Sequence, residues 1–213
     1  MKYKQLFALL LIAASCISCG RNKTENAGKK TKLETKGLVQ SAKPKDKNIH
    51  TRYDYGESTG AHLIIQNSFP KSGIKYTDAN GRRYVYAVFF SRITNKSNQA
   101  VELKVDLPLA PFELPSSSNN YMKLLLPPDS LTADRESLYD YGLDVKSFLD
   151  QRTARSSSLK KIIKPNESST FYVVTLSTRG VNGTLRPGFS LKGEDLFYKV
   201  NEKEIYCGKI GRL

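Results

Sequence analysis

The sequence predicts a mainly β protein made of antiparallel sheets, with one short helical insertion. From about residue 50 onward, short runs of β-branched, aromatic and aliphatic residues alternate with turn pairs such as Asn-Gly and Pro-Asn. About eight or nine such runs follow one another at short spacing, which is typical of a sandwich or a barrel. Only one stretch, within 131–152, carries the residue spacing of an amphipathic helix.

The first half of the domain is predicted to hold four strands. Residues 83–95 are dense in β-branched and aromatic side chains, which fit a pleated, half-buried surface. The Asn80-Gly81 pair before them favours a hairpin turn, because both residues readily take positive φ. In 100–109 apolar and charged residues alternate, which indicates a strand with one wet face. The four predicted strands are 61–69, 73–77, 83–95 and 100–109.

Residues 108–155 are predicted to form an insertion, because prolines break the regular pattern where it begins. It contains a possible short strand at 121–126 and the only plausible helix. Within the helical stretch, Asp144 is a natural N-cap. The apolar residues that follow it at i, i+3 and i+4 define one helical face: Val145, Phe148 and Leu149.

Strand signals return after the insertion and continue to the end of the chain. The predicted strands are 157–164, 169–177, 185–193, 195–200 and 203–210. The chain has a hydrophobic strand, the turn Asn-Lys-Ser-Asn, an alternating strand and, later, the stretch KPNESSTFYV. This order resembles the immunoglobulin-like sandwiches of envelope lipoproteins. The resemblance implies an immunoglobulin-like antiparallel β-sandwich for residues 50–213, although the chain has no Trp for the Cys…Trp…Cys hallmark.

The amino terminus has the order of a secretory signal peptide. Lys2 and Lys4 precede the apolar run 6–14, and small residues follow that run. The apolar stretch reaches only to Ile17, whereas a membrane-spanning helix needs roughly 20 residues. The signal peptide is predicted to cover residues 1–18.

The stretch Ser-Cys-Ile-Ser-Cys-Gly at 15–20 resembles the lipobox of bacterial lipoproteins, in which the signal is cut just before an acylated cysteine. Cys16 and Cys19 both fit this pattern, and Cys19 is preferred because polar sequence starts directly after it. The resemblance implies a mature amino terminus held in the membrane by several acyl chains, which together give the stable anchoring that one chain does not.

Residues 19–49 are predicted to be a flexible, lysine-rich tether, because such charged and weakly hydrophobic sequence cannot bury enough surface to fold. Residues 1–50 hold 11 Lys/Arg and 3 Asp/Glu, a net charge of +8 out of +14 for the whole chain. The tether is thus either a solvated linker or a segment that contacts anionic headgroups. No nucleic-acid partner is predicted, since no recognised binding motif occurs.

The predicted domain is poor in residues that carry chemistry. Its only cysteine is Cys207, and its histidines are His62 and, at the border, His50. This set cannot build a conventional zinc site, and no G-x-S-x-G motif is present. We therefore expect no cofactor, no metal and no enzymatic activity. Cys207 is interpreted as a small buried residue, with a Cys19–Cys207 disulfide as the alternative if Cys16 were the acylated residue.

The candidate binding surface consists of tyrosines that flank an aspartate. Tyr53 and Tyr55 lie on either side of Asp54 at the entrance to the domain, and a second such trio occurs in the insertion: Tyr139, Asp140 and Tyr141. Tyrosines on loops offer rigid, amphipathic contact area to a sugar or a peptide, whereas tyrosines at the ends of a sandwich can also plug its core.

Two functions follow as hypotheses. The first is an envelope lipoprotein, anchored in the outer membrane and facing the periplasm, that acts as a non-catalytic binding or structural module for a protein or glycan partner. The alternative is an envelope hydrolase that uses carboxylates of 129–150, such as Asp140 and Asp144, which requires two carboxylates to converge in a cleft. The oligomeric state is left open.

Overall fold

The structure is a computed structural model that describes residues 47–56, 62–69, 71, 73–115, 117–128, 135, 138, 140–151 and 158–213. The predicted signal peptide, Cys16, Cys19 and nearly all of the tether lie outside these residues. Within the described part of the chain, no helix is long and apolar enough to cross a membrane.

Twelve strands and one helix are present among the described residues. The first seven strands are β1 (Ile49–Gly56), β2 (His62–Ser68), β3 (Ile74–Thr77), β4 (Arg83–Asn95), β5 (Val101–Asp106), β6 (Phe112–Glu113) and β7 (Tyr121–Leu125). They are followed by α1 (Val145–Asp150), β8 (Ser158–Ile163), β9 (Ser168–Ser177), β10 (Pro187–Lys192), β11 (Asp195–Val200) and β12 (Lys203–Arg212). The predicted mainly β fold with a short helical insertion is confirmed.

The strands form two antiparallel sheets that curl toward each other. Sheet A has the order β1-β2-β4-β9-β7-β6, and β3 pairs with a further stretch of β4. Sheet B has the order β10-β11-β12-β5-β8. The longest pairing joins β4 to β9, from Val85 opposite Ser177 to Thr94 opposite Ser168. These two strands form the centre of sheet A.

The inner core lies between the two sheets. Its alternating residues come from both layers, for example Phe89 and Val173 of sheet A with Leu103, Phe189 and Tyr198 of sheet B. Phe189 stacks edge-on against Tyr198 with ring centroids 4.7 Å apart. This alternation of buried and exposed positions is what the sequence pattern of a half-buried strand encodes.

A second apolar cluster covers the other face of sheet A. Phe90 and Tyr172 point away from sheet B and pack against residues of the insertion: Tyr141, Leu143 and Val145. The insertion therefore caps a core, and β4 and β9 are buried on both faces. This explains why their sequences read as nearly continuous apolar runs.

The helix forms where the sequence predicted it. Asp144 caps it by accepting a hydrogen bond from the Ser147 backbone N–H at 3.1 Å, and Val145 is buried. It is shorter than the predicted 131–152 stretch, much of which lies outside the described residues. Two observed strands were not predicted, β1 and β6. The sequence of β1, IHTRYDYG, is mostly polar, and its pairing with β2 is a tertiary effect.

A buried amide joins the two sheets. The Nδ2 atom of Asn67 on β2 donates to Thr51 Oγ1 at 2.9 Å and to the Phe189 carbonyl oxygen on β10 at 3.1 Å. Its Oδ1 atom accepts from the Phe189 backbone N–H at 2.9 Å and from Ser91 Oγ at 2.8 Å. A Cβ atom at Gly188 would lie 2.5 Å from Asn67 Cγ, so the absent side chain is what lets β10 approach.

We predict that Asn67→Ala lowers the free energy of unfolding by about 3 kcal/mol, because both backbone groups of Phe189 lose their buried partner. Gln66→Ala is the matched control, since Gln66 is the half-exposed neighbour on the same strand, and it should change that free energy by less than about 0.5 kcal/mol. Urea unfolding of the full chain measures both. Equal effects of the two substitutions would contradict a role for this amide in joining the sheets.

Candidate functional site

Of the two tyrosines predicted at the domain entrance, one is buried and the other is half-buried. Tyr55 is 7% exposed and belongs to the inner core, where its hydroxyl accepts the Leu191 backbone N–H at 2.9 Å. Burial raises the pKa of this hydroxyl to about 12, although the bond from Leu191 acts in the opposite direction. Tyr53 is half-buried and packs against the same core. Tyr55 is therefore a structural residue, which corrects its assignment to a binding surface.

Asp54 lies on the opposite face of β1 from these tyrosines. Its carboxylate contacts the Nε2 atom of His62 on β2, and its second oxygen lies 3.4 Å from the Arg52 guanidinium. Asp54 and His62 both remain partly exposed. This small group of charged side chains ties the edge strand β1 to β2.

Tyr141 is a core residue of the insertion. It is 1% exposed, has a positive φ of 60°, and lies between Phe90 and Tyr172 with both ring centroids 5.5 Å away. The Lys71 ammonium lies 3.8 Å from its ring centroid. Tyr141 thus fixes the insertion to sheet A and is not available to a ligand. Tyr139 lies outside the described residues.

The described carboxylates of 129–150 hold local structure. Asp140 accepts the Gly142 backbone N–H at 2.8 Å, and Asp150 accepts the Tyr76 hydroxyl at 2.8 Å. Hydrogen bonds from the Ser147 hydroxyl and backbone N–H hold the pKa of Asp144 below its usual range. Each of the three carboxylates is therefore committed to a turn, a cap or a tertiary contact. This is the bonding pattern of structural residues.

Cys207 is buried, and its thiol is free. Its Sγ atom donates to the Leu196 carbonyl oxygen at 3.4 Å, and burial raises the thiol pKa. A raised pKa suppresses the thiolate, which is the reactive form. The interpretation of Cys207 as a small buried residue is confirmed.

A polar cleft of about 320 Å³ lies where the chain crosses from sheet B to sheet A. One wall is the end of β8 and the other is the start of β9. The cleft is lined by Lys161, Ile162, Ile163, Glu167, Ser168, Ser169 and Thr170. We define these residues as the β8–β9 cleft.

The corner that closes this cleft is held by Asn95, which is fully buried. Its Nδ2 atom donates to the Ile163 carbonyl oxygen at 3.0 Å on one wall. Its backbone N–H donates to the Glu167 carbonyl oxygen at 2.9 Å, and its carbonyl oxygen accepts the Asn166 N–H at 2.7 Å. Because one buried residue bonds both walls, this end of the cleft is preformed.

Ser169 supplies the most informative atom of the cleft. Its residue is 8% exposed, and its hydroxyl oxygen has no hydrogen-bond partner among the described residues. Ser169 lies opposite Ile93 in the β4–β9 pairing, and Ile93 belongs to the inner core. The hydroxyl therefore faces inward, between the sheets. Buried hydroxyls are nearly always bonded, so an unpartnered one that lines a cleft is a candidate contact for a ligand.

Lys161 also faces inward, although it carries a charge. It lies opposite Leu103 of the inner core in the β5–β8 pairing, and it is half-buried. No carboxylate of the described residues pairs with its ammonium group. The cleft thus presents an ammonium and hydroxyls as donors, and its one carboxylate, that of Glu167, accepts the Lys164 backbone N–H at 3.3 Å. This set of groups suits a polar or anionic ligand.

Sequence reasoning missed both Lys161 and Ser169. The signal was available for Lys161, because in SSLKKIIK it shares the alternation of Leu159 and Ile163, so a charge falls on the apolar face. No such signal existed for Ser169, since its lack of a partner depends on the separation of the two walls.

No protein-family model, curated protein or solved structure matches the chain.

We predict that Ser169→Ala raises the free energy of unfolding by about 1 kcal/mol, because it removes a buried hydroxyl that has no partner. Ser91→Ala is the matched control: its buried Oγ donates to Asn67 Oδ1 at 2.8 Å, and its loss should lower the free energy by about 1 kcal/mol. Thermal and urea unfolding measure both variants. Destabilisation by Ser169→Ala equal to that of the control would mean that the hydroxyl is bonded within the fold.

Proposed function

We propose that this chain is a lipid-anchored protein of the cell envelope whose β-sandwich is a non-catalytic binding module. The anchor is the acylated Cys19, the membrane is the outer membrane, and the domain faces the periplasm on a lysine-rich tether. The module binds a protein or glycan partner through the β8–β9 cleft.

One observation carries the binding role: the inward-facing, unpartnered hydroxyl of Ser169 in a preformed polar cleft. A vacant hydrogen-bonding position in a rigid site costs stability in the free protein, and a ligand that fills it recovers that free energy on binding. The described carboxylates of 129–150 are each bound to an internal donor. No specific observation therefore favours the hydrolase alternative.

The anchoring half of the proposal is tested at two neighbouring cysteines. Cys19→Ser should leave the chain uncut and without acyl groups, because cutting and acylation both act at this cysteine. Cys16→Ser is the matched control and should be cut and acylated like the native protein. The intact mass of protein purified from membranes measures both. A native chain that retains Met1 would overturn the anchor, and an acylated Cys19→Ser variant would overturn its assignment to Cys19.

The binding half is tested by crosslinking in cells. We expect a photoreactive residue at Thr170, in the cleft, to form a specific adduct with an envelope component. The same residue at Glu202, an exposed turn position between β11 and β12, should form none. Mass spectrometry of the adduct identifies the component as protein or glycan. Equal labelling from both positions, or none from Thr170, would contradict a binding role for the cleft.

A further inference from the structure

We propose that the β8–β9 cleft binds an extended, acidic peptide segment of a partner protein. The segment adds as a strand to the free edge of β8 and places a carboxylate against Lys161 and Ser169. This inference rests on the proposed binding function and names the class of partner.

Two unpaired strand edges flank the cleft. Within the described part of the chain, β8 pairs only with β5, so no strand covers the other edge of residues 159–162. On β9, pairing with β7 begins at Val174, and residues 168–173 have no strand on that side among the described residues. An open edge is a template for another strand, because its N–H and C=O groups need partners.

A peptide matches these edges better than a glycan does. Strand addition requires a regular series of backbone donors and acceptors, which a polypeptide supplies and a sugar chain does not. The edge also lies beside a polar cleft. Alternate side chains of an added strand point to one face, so every second residue of the peptide can reach into that cleft.

The donors in the cleft select a carboxylate. The Lys161 ammonium has no carboxylate partner in the described structure, and the Ser169 hydroxyl is free to donate. A single carboxylate accepts hydrogen bonds from both kinds of group through its two oxygens. Such charge-assisted bonds are the stronger kind, so an acidic side chain satisfies both vacant groups at once.

The same charges disfavour a second copy of this chain as the occupant. The segment SLKKIIK of β8 and its turn carries three lysines. If two β8 edges paired antiparallel about a two-fold axis at the middle of the strand, Lys160 or Lys161 of one copy would lie opposite the same lysine of the other. Like charges directly opposite one another destabilise a strand pair. An acidic segment turns this repulsion into attraction.

The test uses the acylated full chain in detergent micelles and a fluorescent peptide of about nine residues with alternating Val and Glu. Anisotropy measures the Kd, and hydrogen exchange locates the contact. We expect binding that protects the amides of 159–162. Two matched peptides, one with Gln in place of Glu and one N-methylated at alternate residues, should bind at least about tenfold more weakly, since they lack the charge or the edge donors.

Protein variants test the residues. Lys161→Gln should weaken binding of the acidic peptide by about tenfold, the effect of one charge-assisted bond. Ser169→Ala should weaken binding while raising stability, a combination that a purely structural serine would not give. Lys160→Gln is the matched control, because Lys160 points outward and pairs with Glu102 at 2.8 Å; it should change the Kd by less than about threefold.

The proposal is overturned if the N-methylated or the Gln peptide binds as well as the acidic one, or if no peptide protects β8. If acetate or phosphate at the same concentration as the peptide displaced the peptide, the cleft would be a general anion site, and the proposal would also be overturned. A specific adduct from Thr170 together with failed peptide binding removes this inference alone. Failure of that adduct removes the proposed function.

Discussion

The hydrogen bonds of the Asn67 side chain are the constraint on which the arrangement of the two sheets depends. Hydrophobic packing between sheets has no direction, so it does not by itself define which residue of β2 faces which residue of β10. One amide that bonds both backbone groups of Phe189 does define it. Gly188 is the necessary complement, because any side chain there would occupy the space of Asn67.

Once the sheets are placed, sheet A still presents an apolar outer face that must be covered. The insertion supplies this cover through Tyr141, Leu143 and Val145. Tyr141 tolerates a positive φ because its ring is held between Phe90 and Tyr172. The sequence patterns predict that the insertion is a loop with ligand-binding tyrosines. In the folded chain it covers the outer face of sheet A and belongs to the core.

Asn95, at the edge of the sandwich, resembles Asn67 in being a buried amide whose hydrogen bonds join two parts of the fold. One buried side chain bonds the Ile163 carbonyl oxygen and organises the turn that leads to β9. Lys161 and Ser169 both face inward beside this turn and line the β8–β9 cleft. Ser169 has no hydrogen-bond partner and Lys161 has no carboxylate partner among the described residues. This is the reason to place function there.

The sequence by itself determined the strand content, the helix with its Asp144 cap and the burial of Cys207, because these follow from local periodicity and residue size. It also carried the lipobox resemblance at Cys19. Only the tertiary structure decided that polar β1 forms a strand, that Tyr55 and Tyr141 are buried, and that Ser169 lacks a partner. Those properties depend on which strands become neighbours, and the choice of neighbours is made by contacts between residues far apart in the chain.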